Sequence, residues 1–295
     1  MSAPDASTTA VLVADIAWQD FFKDARLKKL IELSLQNNRD LRVAVLAIEQ
    51  TRAQYQLRRA DALPTVNAGL TGTRGPIASG AVTSTYTAGL SVTAYELDFF
   101  GRVRALSQAA QAQVLGSEET RKTVQISLIA AVANTYVSLL ANDELLRVTR
   151  ESLGTRQESL RLTQLKFDNE AASKLELSQA QSLLEGAKAA LAQTTRQRAQ
   201  DENALTLLVG QPLSADLPAG LAITAQGMLP DLPAGVPSEL LTRRPDIRQA
   251  EQQLLANNAN IGAARAAFFP RITLTGSAGV VSNDLDTLFS NGTSA

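Results

Sequence analysis

The stretch DLRVAVLAIEQTRAQYQLRRADALPTV, residues 40–66, recurs in altered form as DIRQAEQQLLANNANIGAARAAFFPRI, residues 246–272. The two align without a gap: Asp40 with Asp246, Arg59 with Arg265 and Pro64 with Pro270 are each separated by the same interval. Three anchors at one offset make an internal duplication the economical explanation. Both copies carry heptad spacing, at Leu41, Ile48 and Tyr55 in the first and at Leu240, Ile247, Leu254, Ile261 and Phe268 in the second, which predicts coiled-coil helices. Proline then ends each helix and alternation begins. Val66, Ala68 and Leu70 alternate with Thr65, Asn67, Gly69 and Thr71, and Ile272, Leu274 and Gly276 with Thr273, Thr275 and Ser277. Each copy therefore reads as a helix that runs into a strand.

Working outward, residues 72–85 are rich in Gly, Ser and Thr, and Tyr86, Ala88, Leu90, Val92 and Ala94 alternate with Thr87, Gly89, Ser91 and Thr93. A β-hairpin over about 65–98 is expected. Next, Val132, Leu139, Leu146, Leu153, Leu160 and Phe167 lie seven apart in a helical stretch from about 101. At about 1.5 Å per residue it would extend roughly 100 Å. After a turn near Asn169, Leu177, Leu184, Leu191 and Leu205 share a seam with Ala180 and Ala187, ending at Gly210 and Pro212. The two helices form a long antiparallel hairpin over about 101–210.

The expected organisation is an irregular N-terminal segment (1–24), a first repeat (25–212), a Pro/Gly-rich linker (213–237) and a second repeat (238–295). The repeat interval carries the strand at Tyr86 to about position 292 and the helical hairpin beyond 295. The chain is thus expected to be truncated within its second repeat, and so to trimerise poorly. The fold class is mainly α with a small β part: long antiparallel coiled-coil helices joined to strands of a shared transmembrane β-barrel, internally duplicated.

The composition narrows function by exclusion. With 28 Lys and Arg against 29 Asp and Glu, no basic field would attract nucleic acid, and no nucleic-acid partner is expected. The chain has no Cys and no His, which removes thiolate and imidazole metal ligands, disulfides and histidine general bases. No cofactor, metal or catalytic residue is assigned. Asp143-Glu144 and Glu118-Glu119 are neighbours in sequence, but adjacent helix positions face different directions, so both read as solvated helix faces. Arg243, Arg244, Pro245 and Asp246 read as a helix start, and Asp98, Gly101 and Arg102 as a strand-to-helix turn with a local ion pair. The N-terminus shows no basic n-region followed by an apolar run, so no signal peptide is visible. Nor is there a run of about 18 apolar residues, so a transmembrane helix is not expected, while barrel strands carry a weaker signal.

An open sheet in a bilayer leaves edge groups unpaired, and these strands are too few to close a barrel alone. If the chain spans a membrane, several chains share one barrel, and its helices extend it into a duct. The strings LDFFGRVR from Leu97, LVGQPL from Leu208, LLTRRPDIRQAEQQL from Leu240 and IGAARAAFFPRITLTGSAG from Ile261 resemble TolC-like outer-membrane efflux proteins. The subfamily is that of outer-membrane factors serving resistance-nodulation-division pumps. The resemblance implies a homotrimer with a twelve-stranded barrel in outer-membrane lipid and a twelve-helix tunnel in the periplasm of a Gram-negative bacterium. It implies two partners, a periplasmic adaptor (membrane fusion) protein and an inner-membrane pump. The function implied is that of a passive, non-enzymatic conduit for drugs or other small toxic compounds. Alternatives are a periplasmic adaptor, a structural coiled-coil protein or a type I secretion outer-membrane channel.

The resemblance also places the helix-hairpin tip at the adaptor, so Lys166, Phe167, Asp168, Asn169, Glu170 and Ser173 are the candidate partner-binding residues. The plainer reading of the tip is a solvated turn. Glu170 stands where the family usually has glycine, which questions the turn geometry. Many members carry a lipid-modified N-terminal cysteine, for whose absence here a trimmed N-terminus is the expected reason. The family's gate carboxylates belong to the second helical hairpin, so no gate residue is assigned.

Overall fold

A computed structural model describes residues 17–78, 80–214, 216–226, 239–290 and 293–294. The chain divides into two compact units, residues 1–45 with 120–245 and residues 46–119 with 246–295. This division cuts across the first repeat. The elements in chain order are α1 (Trp18–Phe21), α2 (Ala25–Asn37), α3 (Arg39–Ala60), β1 (Val66–Pro76), β2 (Val82–Glu96), α4 (Arg102–Asp168) and α5 (Lys174–Val209). They are followed by a 3-10 turn (Ile223–Ala225), α6 (Glu239–Arg243), α7 (Pro245–Ala266), β3 (Thr273–Ser282) and β4 (Thr293–Ser294). The duplication is visible in the backbone: α3 and α7 are both 22 residues long and occupy matching places in the two copies.

In the first unit, α2 buries Leu27, Leu30, Ile31 and Ser34, a stripe at helical spacing, against Leu128, Val132, Tyr136 and Leu139 of α4 and Leu205 and Val209 of α5. Full burial of each large apolar side chain contributes roughly 1.5–3 kcal/mol. Residues 124–141 of α4 contain no charge, and α4 is long and apolar enough by composition to cross a membrane. Gln125, Ser127, Asn134, Thr135 and Ser138 interrupt the stretch, so it is not an unbroken apolar run. Leu128, Val132, Ala133, Tyr136 and Leu139 of this stretch belong to the helical core, which accounts for its apolar character.

The heptad seams of the helical hairpin lie where the spacing placed them. Val132, Leu139, Leu146, Leu177, Leu184 and Leu205 are buried, and Leu153, Leu160, Phe167 and Leu191 half-buried. Across the hairpin Arg198 Nε lies 2.6 Å from Asp143 Oδ1, and Asn142 Nδ2 donates to Asp201 Oδ2 at 2.5 Å. Gly210 caps α5 at φ 79°, with a Cβ position only 2.4 Å from the Asn37 carbonyl oxygen.

In the second unit the seam expected for α7 is not its buried face. Leu254 and Ile261 are exposed, and Phe268 just beyond the helix is more so, whereas Ala256, Ala263 and Ala266 are buried. A Cβ on Gly262 would stand 3.7 Å from the Ala105 side chain, so small residues set a close approach to the start of α4. Close packing selected the smaller side chains, which heptad counting of large ones overlooks.

Candidate functional site

The sheet of the second unit has strand order β1-β2-β3-β4, all antiparallel. Its register decides what each face presents. Val66 pairs with Val92, Ala68 with Leu90 and Leu70 with Ala88, and on the other edge Ala88 pairs with Val280, Leu90 with Ala278 and Val92 with Gly276. Paired residues project to the same side, so these form one apolar face across three strands. The opposite face carries Asn67, Gly69, Thr71 and Thr73 beside Ser91, Gly89, Thr87 and Thr85. Ser277 and Gly279 continue that polar face on β3.

A water-soluble sheet covers such an apolar face with a core. Here Val66, Leu70 and Leu90 are 58%, 65% and 55% exposed. The alternation survives across the 15 residues of β2 except for a bulge between Val92 and Tyr95, where Ala94 has φ 54°. At about 3.3 Å per residue, a strand of ten residues is long enough for a tilted crossing of hydrocarbon. Gly89 faces Gly279, and a Cβ on either would come within 2.8 Å of backbone atoms of the other strand. Glycine is required by that close approach.

In the first unit, the six residues expected at the hairpin tip are brought together in one turn. Ala171 N–H donates to the Lys166 carbonyl at 2.7 Å and Glu170 N–H to the Phe167 carbonyl at 3.0 Å. This is the Schellman arrangement, with Glu170 in the left-handed position at φ 55°. Glu170 thus takes the conformation that glycine adopts more cheaply, and the turn geometry stands despite the substitution. Asn169 Nδ2 donates to the Leu165 carbonyl at 2.7 Å, and Asp168 accepts from Gln164 at 2.8 Å. Ser173 caps α5 in a reciprocal box with Glu176: Ser173 N–H donates to Glu176 Oε2 at 2.7 Å and Glu176 N–H to Ser173 Oγ at 3.2 Å. The bond from the Ser173 amide, then that from its hydroxyl, and more weakly the charge of Lys166, hold the Glu176 carboxyl below its ordinary range. Lys166, Asp168, Asn169, Glu170 and Ser173 are exposed and Phe167 half-buried. A shallow groove between Ser159, Thr163, Lys166, Ala171, Ala172 and Glu176 opens beside them.

Sequence reading missed a buried carboxylate. Asp24, 1% exposed, caps α2 by accepting from the amides of Arg26 (2.8 Å) and Leu27 (3.4 Å). Its other oxygen accepts from Tyr136 Oη (2.9 Å), Leu221 N–H (3.0 Å) and Gln226 Nε2 (2.7 Å). Burial is the largest single influence on this carboxyl and opposes its charge. The bonds from Gln226, Leu221, Tyr136 and Arg26 outweigh it, so its pKa lies below the ordinary value. Burial and the bond to Asp24 raise the Tyr136 phenol. An Asp three residues ahead of an apolar helical stripe was the available signal. Its partners, more than a hundred residues away, left none.

The adjacent acids separate as helix geometry requires. Asp143 meets Arg198 and Glu144 meets Arg147, while Glu118 meets Arg52 and Glu119 meets Arg248. At the strand-to-helix turn Arg102 pairs with Glu96 (2.8 Å), whereas Asp98 caps α4 through the amides of Val103 and Arg104.

The family model described as "Outer membrane efflux protein" matches residues 30–211 and 236–295. The chain belongs to the outer membrane efflux protein family. Relatives in that family include the probable efflux pump outer membrane protein TtgC of Pseudomonas putida, 47% identical over 289 residues, covering 96% of this chain and 60% of that protein. The outer membrane protein OprJ of Pseudomonas aeruginosa is 41% identical, covering 99% of this chain and 62% of OprJ. Among solved structures, the open state of the Neisseria gonorrhoeae MtrE outer membrane channel superposes with a TM-score of 0.86 at 42% identity, over 99% of this chain and 66% of MtrE. The chain spans about three fifths of the length of the first curated efflux proteins it matches. The expected fold class, long helices joined to channel strands, agrees with these neighbours.

Proposed function

We propose that the chain forms the larger part of one protomer of an outer-membrane channel, a passive conduit through which an efflux system exports drugs, solvents or other small toxic compounds. The observation that carries this reading is the bare apolar face of β1–β3 backed by a face mostly of Ser, Thr, Asn and Gly, with Val281 opposite Thr87. That arrangement suits strands with lipid on one side and an aqueous lumen on the other. The sheet has free edges, which hydrocarbon does not tolerate, so the barrel is completed by further strands and further copies, in a homotrimer. The exposed tip at Lys166, Phe167, Asp168, Asn169, Glu170 and Ser173 receives the periplasmic adaptor, which links the channel to an inner-membrane pump of the resistance-nodulation-division type. The outer membrane of a Gram-negative cell, with helices in the periplasm, is the corresponding location.

The test is accumulation of a fluorescent efflux dye in cells lacking their own outer-membrane channel, supplied with the whole gene and its neighbouring pump genes. Lower accumulation with the gene than without it is expected. Unchanged accumulation, with the protein recovered in the outer membrane, would refute the efflux role.

A further inference from the structure

In the second unit the helices meet the strands in a collar of exposed aromatic and basic side chains. Phe268 is 91% exposed, Phe99 70% and Leu63 68%. Phe100 and Phe269 stack at 4.5 Å with an interplanar angle of 8°, tying the turn before α4 to the turn before β3. Residues 58–65, 96–104 and 264–272 together carry six arginines (58, 59, 102, 104, 265 and 271) and three acids (61, 96 and 98).

The acids are already engaged. Asp61 lies 3.6 Å from Arg58, Glu96 holds Arg102 and stands 3.9 Å from Arg271, and Asp98 is taken up by the amides that start α4. The guanidinium groups of Arg59, Arg104 and Arg265 are exposed and have no acidic partner among the described residues. Arg59 and Arg265 are equivalent in the two repeats and lie in the last turns of α3 and α7, where the helix dipole favours a cation. Arg104 lies in the first turn of α4, where the dipole opposes a cation and the capping Asp98 carboxylate is engaged by the amides of Val103 and Arg104. All three exposed guanidinium groups are open to a counter-anion from outside the chain.

The collar lies at the strand ends joined to the helices, where an apolar sheet face gives way to charged helices. We infer that it binds the anionic headgroups of phospholipid at that membrane surface, an inference that rests on the membrane-spanning reading of the sheet. Phe99, Phe268 and Leu63 enter the headgroup–acyl boundary, and Arg59, Arg104 and Arg265 reach phosphate with their flexible stems along the apolar surface. Charge complementarity selects an anionic lipid over a zwitterionic one.

The test reconstitutes the whole gene product in lipid discs with equal amounts of phosphatidylglycerol and phosphatidylcholine and measures the lipids that remain bound after extraction. Wild type is expected to retain phosphatidylglycerol preferentially. The variant R59Q/R104Q/R265Q lowers that ratio by up to about a hundredfold, at roughly fivefold for each of the surface charges removed. The corresponding triple Lys variant keeps the preference. Arg74→Gln, at the hairpin-loop end of β1, leaves it unchanged. No preference in wild type, an unchanged ratio in the triple Gln variant, or an equal drop with Arg74→Gln overturns the inference. Failure of the wild type to enter the discs refutes the membrane reading itself, and this inference with it.

Discussion

Replacing Asp24 by Asn keeps the shape of the buried side chain and removes its charge. Asp24 accepts five hydrogen bonds: two from the first amides of α2 and three from Tyr136, Leu221 and Gln226. An amide NH2 in place of the second oxygen meets the Leu221 N–H and the Gln226 NH2, two donors that cannot accept, whereas the Tyr136 hydroxyl can turn. Both donors are part-buried, so loss of their acceptor costs each toward the lower end of about 1–3 kcal/mol, and roughly 3 kcal/mol in all is expected at neutral pH. By the conversion of about 1.4 kcal/mol per tenfold, amides of residues 24–27 and 221–226 should exchange with deuterium roughly 150-fold faster. The pH dependence has a definite sign. The folded-state pKa of Asp24 lies below its ordinary value of 3.8, so its stabilisation is complete above that value and is lost as pH falls from 3.8 through the folded pKa. Wild type should therefore approach the variant in that acid window, where the Asn side chain does not titrate. A change of less than about threefold in exchange at neutral pH, against that 150-fold, would refute the account of this carboxylate as the anchor between α2, α4 and residues 221–226.

Glu170→Gly removes left-handed strain of about 1 kcal/mol and adds unfolded-state freedom that offsets part of it, so exchange at Ala171 should slow by about twofold; faster exchange would contradict the Schellman assignment. Ser173→Ala opens the capping box, and the first-turn amides of α5 should exchange about fivefold faster, while protection at its far end is unchanged. Gly210→Ala forces a Cβ against the Asn37 carbonyl at φ 79°, and a loss of more than about 2 kcal/mol should appear as a lower thermal midpoint. An unchanged midpoint would mean that the junction of α2, α3 and α5 relaxes freely.

Patterns confined to neighbouring residues were legible without coordinates. The seams at Val132, Leu139 and Leu146 and at Leu177, Leu184 and Leu205 are buried as their spacing implied, because in a long hairpin the residues that meet lie on one face at a fixed period. In α7 the same rule chose Leu254 and Ile261, which are exposed, over Ala256 and Ala263, which are buried. A count of large apolar residues cannot see a face selected for close approach. At the tip, Glu170 raised a doubt about the turn that the positive φ removes: the left-handed position is determined by hydrogen bonds back to Lys166 and Phe167, and Glu can occupy it with some strain.

The sequence by itself determined the duplication, the helix and strand succession and the family, since repeat interval, heptads, proline stops and alternation are all written along the chain. Only the tertiary structure decided that the apolar residues of three strands fall on one uncovered face, because cross-strand register depends on how β2 meets β1 and β3. It alone brought Tyr136, Leu221 and Gln226 to Asp24. Contacts between residues so far apart are fixed by packing of whole helices, and no local spacing encodes them.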